Sequence, residues 1–168
     1  MDNINKKISL GGMLLAIESI IFMLINFIPS NTIFLMVIAS FISSILIYEY
    51  GEKIGVVFTI ASIILSFFII SNKIHWFLYA ISFSIYGLIK SIIERGRSRI
   101  VEYGMKFVFA NIIFLIIVYV LKSFIQFDFK IIMFLFLNIL FLVYDIFYSQ
   151  FIRFYKNNIR NKIIKYIE

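Results

Sequence analysis

Thr32 to Tyr48 reads TIFLMVIASFISSILIY, seventeen residues without a charge, a glycine or a proline. As a helix rising 1.5 Å per residue it would be about 26 Å long, near the ~30 Å hydrocarbon thickness of a bilayer. Its apolar residues run continuously rather than alternating, which favours a helix over a barrel strand. Working outward, five further stretches have the same character, at Leu10–Ile28, Ile54–Ile70, Ile74–Ile93, Met105–Leu121 and Ile131–Phe151. Between them lie helix-breaking or charged segments: Pro29-Ser30-Asn31, the Glu49 to Lys53 turn with Gly51, Ser71-Asn72-Lys73, a basic loop from Glu94 to Gly104, and Lys122 to Lys130. In lipid only helices and closed barrels satisfy their own backbone. The expectation is an all-α polytopic membrane protein, one domain over residues 1–168, built as a bundle of six transmembrane helices.

Composition agrees. The 168 residues are 62% hydrophobic and only 15% charged, with a mean hydropathy of +1.02. A soluble domain of this size is nearer 45–50% apolar and about 25% charged, and its interior could not hide so much apolar surface. That excludes a cytosolic enzyme, a secreted disulfide scaffold, a disordered regulator and a nucleic-acid binder. With no Cys and a single His, no thiolate or paired-His metal site can form, and no cofactor is expected. No phosphate loop, His-Glu-x-x-His or Gly-x-Ser-x-Gly motif is present.

The net charge of +7 is informative through its placement. If the N-terminus faces the cytoplasm, thirteen Lys and Arg fall on that side and three (Lys73, Lys122, Lys130) on the other. The positive-inside rule therefore places both termini in the cytoplasm. Lys6 and Lys7 precede the first span as they would a signal peptide. The apolar run is longer than such peptides use and no small-x-small cleavage site follows, so this helix is expected to remain. Residues 152–168 space Ile152, Tyr155, Ile159, Ile163 and Tyr166 among basic residues. They read either as an interfacial amphipathic helix on anionic membrane lipid or as a basic tail that only enforces topology.

Polar residues within the spans carry the functional reading, because ionisable groups in hydrocarbon are costly. Glu18, Lys90, Asn111 and Asp145 map to the cytoplasmic third, where they are expected to cluster. The cluster would serve either as a structural salt-bridge and amide network or in proton or ion coupling. Near the outer surface, Asn31, Lys73, His75, Trp76, Tyr79, Tyr119, Lys122 and Asn138 combine rings, amides and cations, with Asp128 as the one nearby acid. They are candidates for binding a small molecule, its anionic group favoured by the lysines. Taken singly, the aromatics also fit an interfacial belt. In the first helix Gly12 and Ala16, four apart and followed by Ser19, would let another helix approach closely.

The chain resembles the substrate-binding S components of energy-coupling factor transporters. The resemblance rests on six short helices in about 170 residues with no ATPase motif. It rests also on the opening Lys7-Ile8-Ser9-Leu10-Gly11-Gly12-Met13-Leu14-Leu15-Ala16-Ile17. It implies a bacterial cytoplasmic-membrane protein that captures a vitamin-like small molecule from outside, near Pro29 to Thr32. It also implies a transmembrane coupling subunit packed on Gly12 and Ala16, with separate ATPases supplying energy. The family's small pair is most often Ala-x-x-x-Ala, and here the first position is Gly12. A non-transporting membrane scaffold or assembly protein is the alternative; a membrane enzyme built on Glu18 and Asp145 is the least supported.

Overall fold

The computed structural model describes residues 2–124 and 131–160. The expectations for Asp128, Lys130 and the tail beyond Arg160 lie outside these residues. Helices follow in the order α1 (Asp2–Phe27), a 3-10 turn (Pro29–Asn31), α2 (Thr32–Tyr50), α3 (Glu52–Ile69) and α4 (Lys73–Leu78). A π turn (Tyr79–Ser84) joins α4 to α5 (Ile85–Ile93); then come α6 (Arg99–Phe124), α7 (Ile131–Phe154) and a second π turn (Tyr155–Ile159). No strand occurs among the described residues. The protein is all-α, with six helical segments long and apolar enough to cross a membrane, as its sequence predicts.

Helix boundaries extend beyond the apolar stretches at three places. α1 starts at Asp2 and α6 at Arg99, and the last helix runs on through the turn ending at Ile159. Hydropathy marks where hydrocarbon could lie, whereas backbone hydrogen bonding continues into polar sequence. Glu102, in the first turn of α6, also complements the positive helix N-terminus. Stops have local causes. Pro29, with no N–H, follows α1. Gly51 ends α2 at φ 80°, a backbone that favours glycine, while its N–H closes the helix on the Ile47 carbonyl at 2.9 Å.

α2 is the hub, with ten buried residues and contacts to α1, α3, α5, the first π turn and α7. α1 buries a single stripe, Leu10, Leu14, Glu18, Phe22 and Ile25, at helical spacing. Two apolar cores result. One joins Leu10, Leu14, Ile42, Ile45, Leu46, Phe58 and Tyr155. The other joins Phe22, Ile25, Leu35, Met36, Ala39, Ile70 and Tyr79. Between them runs a layer of buried hydroxyls: Ser40, Ser43 and Ser44 on α2, Thr59 and Ser62 on α3, and Ser84. Large apolar side chains such as Ile20, Ile60, Phe68 and Ile116 face outward, the inverse of a water-soluble surface.

The loops sort into two ends. At the basic end Lys7 lies 5.6 Å over the Tyr50 ring, Arg95 pairs with Glu52 at 2.7 Å, and Arg160 donates to Glu49 at 2.8 Å. These contacts bring the start of α1, the α2–α3 turn, the α5–α6 loop and the residues after α7 together. Hydrogen bonding to Glu49 raises the Arg160 pKa further. At the opposite end Asn26 ties α1 to the α3–α4 turn, donating to the Ile69 carbonyl at 2.8 Å and accepting from the Ser71 N–H at 3.0 Å.

Candidate functional site

Three polar or open features lie within the bundle. The first is an ion network near the basic end. Asp145 on α7 accepts from Lys90 and from Lys106, the latter at 3.0 and 3.2 Å to its two oxygens, and from the Tyr86 hydroxyl at 2.5 Å. Glu94 bridges the same ammonium groups, at 2.7 Å to Lys90 and 2.5 Å to Lys106. Lys90, Lys106 and Asp145 are all buried. Two cations thus face two carboxylates, which offsets the cost of burying any one of them. Lys90 and Glu94 are four apart on one helical face, the spacing that brings side chains together. A polar cavity of about 410 Å³ at the basic end includes Glu52, Lys90, Glu94, Arg95 and Tyr148 in its lining.

The expected four-residue cluster therefore divides. Lys90 and Asp145 meet, joined by Lys106, Glu94 and Tyr86, which the sequence reading did not include. Lys106 looked like a boundary cation because its apolar run begins at Met105; with α6 starting at Arg99 it lies two turns inside the helix. Asn111 belongs elsewhere: its side-chain carbonyl accepts from Asn138 at 3.2 Å.

Glu18 also stands apart. It is fully buried in the hydroxyl layer, and neither carboxyl oxygen has a hydrogen-bond partner among the described residues. Ser62 is beside it, but that hydroxyl is engaged with the Tyr79 hydroxyl at 2.8 Å. The hydroxyls of Thr59 and Ser84 are likewise buried without partners.

The third feature is a cavity of about 620 Å³ between α2 and the first π turn on one side and α6 and α7 on the other. Its walls are almost wholly apolar, including Val37, Phe41, Phe83, Phe114, Ile117 and Phe141, with Asn111 and Asn138 as an amide pair. Each amide N–H₂ also donates to its own helix, to the carbonyls of Phe107 and Phe134. The cavity exists because α6 packs loosely, touching the bundle mainly through α5 and α7.

Of the eight residues expected to bind ligand, Asn138 alone lines this cavity. Lys73 donates to the Phe67 and Ile70 carbonyls at 2.5 and 3.1 Å, capping α3. The Trp76 indole donates to the Ile63 carbonyl at 3.1 Å and packs edge-on against Phe67. Tyr79 is buried in the core, His75 is half-buried, and Asn31, Tyr119 and Lys122 are exposed. Helix ends at this face use the polar groups that composition offered to a ligand. Gly12 and Ala16 lie on the exposed face of α1, with nothing within 4 Å of where a Gly12 side chain would begin. Among the described residues no group of three His, Cys, Asp or Glu could hold a metal ion. No protein-family model, curated protein or solved structure matches this chain.

Proposed function

We propose that the protein is a membrane-embedded capture subunit for uptake of a vitamin-like small molecule, working with a separate transmembrane coupling protein and ATPases. The observation that carries this reading is the cavity of about 620 Å³, a size that suits small-molecule ligands. Its walls carry no lysine, so it favours a molecule whose bulk is apolar over the anionic ligand expected from the outer lysines. The Asn138 side-chain oxygen is the acceptor available to a polar end. Supporting the partner reading, Gly12 and Ala16 present a smooth, exposed strip on α1 where a second helix can pack closely. The bacterial cytoplasmic membrane, with the basic end inside, is part of the same proposal.

Thermal-shift screening of the detergent-solubilised protein against lipophilic and water-soluble vitamins is the direct test. A ligand at ~100 times its dissociation constant stabilises by about 2.7 kcal/mol. Asn138→Ala should weaken the response about tenfold, the value of one hydrogen bond of ~1.4 kcal/mol. A scaffold reading has its own support, since Asn26, Lys73 and Trp76 are committed to backbone carbonyls of α3. A broad panel with no stabilising compound would favour it.

A further inference from the structure

Glu18 interrupts an otherwise apolar stripe on α1, midway between the two cores, where hydrophobic packing alone gives no reason for an acid. Its side chain is 0% exposed, and neither oxygen has a hydrogen-bond partner among the described residues, Ser62 being the nearest hydroxyl. An ionised carboxylate in such a place, without counter-charge, costs many kcal/mol. The acid of the ion network, Asp145, has two ammonium groups and a phenol; Glu18 has none of these.

Hydroxyl oxygens lie close by. Ser62 lies beside the carboxyl and is hydrogen-bonded to the Tyr79 hydroxyl at 2.8 Å, and Ser84 lies beside Tyr79. The hydroxyls of Thr59, one turn from Ser62, and of Ser84 are buried and unpaired as well. Tyr79 and Ser84 are carried by the π turn, a distortion that often marks functional sites in membrane and soluble helices alike. Hydroxyl and carboxylate oxygens are the donors that hard cations choose. One carboxylate balances one positive charge.

We propose that Glu18 is the anionic ligand of a site for one small monovalent cation, a sodium ion or a proton, in the hydroxyl layer between the two apolar cores. The titratable groups that interact electrostatically with it are Tyr79 from the π turn and Tyr148 from α7. From α3 the Ser62 hydroxyl lies beside it, and no described basic side chain pairs with it. Tyr148 also lines the polar cavity at the basic end. The site gives the bundle a means to couple helix packing to a cation gradient, and it stands whether or not the larger cavity takes a vitamin-like molecule.

The test is the melting temperature of the full-length protein in detergent, with sodium exchanged for choline at constant ionic strength, in mildly alkaline and mildly acidic buffer. For a sodium site, sodium raises Tm by several degrees at ~100 times its dissociation constant in alkaline buffer. Acid abolishes that effect, because a proton occupies the same carboxylate. For a proton site, Tm rises as pH falls and ignores sodium. Glu18→Gln removes either response, while the ion-paired Glu49, Glu52, Glu94 and Asp145 remain in both proteins. A Tm indifferent to sodium and pH, or a response that survives in the variant, overturns the proposal. Infrared difference spectra of the wild type need no variant. Sodium addition or alkalinisation should convert a buried carboxylic-acid carbonyl band into carboxylate bands, an exchange weakened by Thr59→Val. An unchanged carboxyl spectrum would also overturn it.

Discussion

Asp145 is the residue on which the buried charges depend, since two ammonium groups and a phenol converge on its carboxylate. Breaking a buried pair from one side leaves an uncompensated charge and costs about 3–5 kcal/mol. Asp145→Asn should therefore lower stability by that amount, measured by denaturant unfolding in mixed micelles. Adding Lys106→Met should recover part of the loss, because it removes one of the two stranded cations. An Asp145→Asn protein as stable as the wild type would show the network to be solvated. At this scale the sequence was legible in part. That Lys90 and Asp145 would seek partners follows from the cost of burying charge. Which partners they find does not, because Lys106 and Glu94 sit at the margin of apolar runs, where hydropathy assigns them to water.

Among the elements, close approach of α2, α5 and α7 depends on Gly87. A side-chain carbon there would collide with the Tyr148 hydroxyl and come within 3.2 Å of the Ile47 δ carbon. Gly87→Ala should destabilise by about 1–3 kcal/mol, as overpacking does. Tyr148→Phe in the same protein should relieve much of this, since the hydroxyl is the nearest obstacle; melting of the two variants decides it. The six apolar helices were legible from length and continuity. The π turn was not, because Tyr79-Ala-Ile-Ser-Phe-Ser84 has neither proline nor glycine. Its extra residue shifts the register, so that Tyr79, Ser84 and Leu88 all face the bundle at spacings of five and four. The loose packing of α6 was equally hidden. A helix against lipid and a helix against protein are both apolar, so hydropathy could not foretell the cavity beside it. The outer polar residues misled for a related reason: helix ends leave unpaired carbonyls, and Lys73 satisfies those at the end of α3, while the Trp76 indole bonds the Ile63 carbonyl of the same helix.

For the whole molecule, the asymmetry of charge is the organising fact. Lys7, Arg95 and Arg160 meet acidic or aromatic partners at one end of the bundle, and Lys73 lies at the other. If six helices thread a membrane, the basic end belongs in the cytoplasm by the positive-inside rule. The hydroxyl layer with Glu18 then falls within the hydrocarbon depth, and the exposed face of α1 meets lipid or a partner helix. The absence of native cysteine makes this topology open to a clean experiment. Single cysteines at Ser30, Ser71, Ser98 and Asn158 can be challenged in intact cells with a membrane-impermeant maleimide. Six spans with the basic end inside predict labelling of Ser30→Cys and Ser71→Cys in intact cells, and of Ser98→Cys and Asn158→Cys only after permeabilisation. Labelling of Ser71→Cys and Ser98→Cys from the same side of the membrane would contradict it.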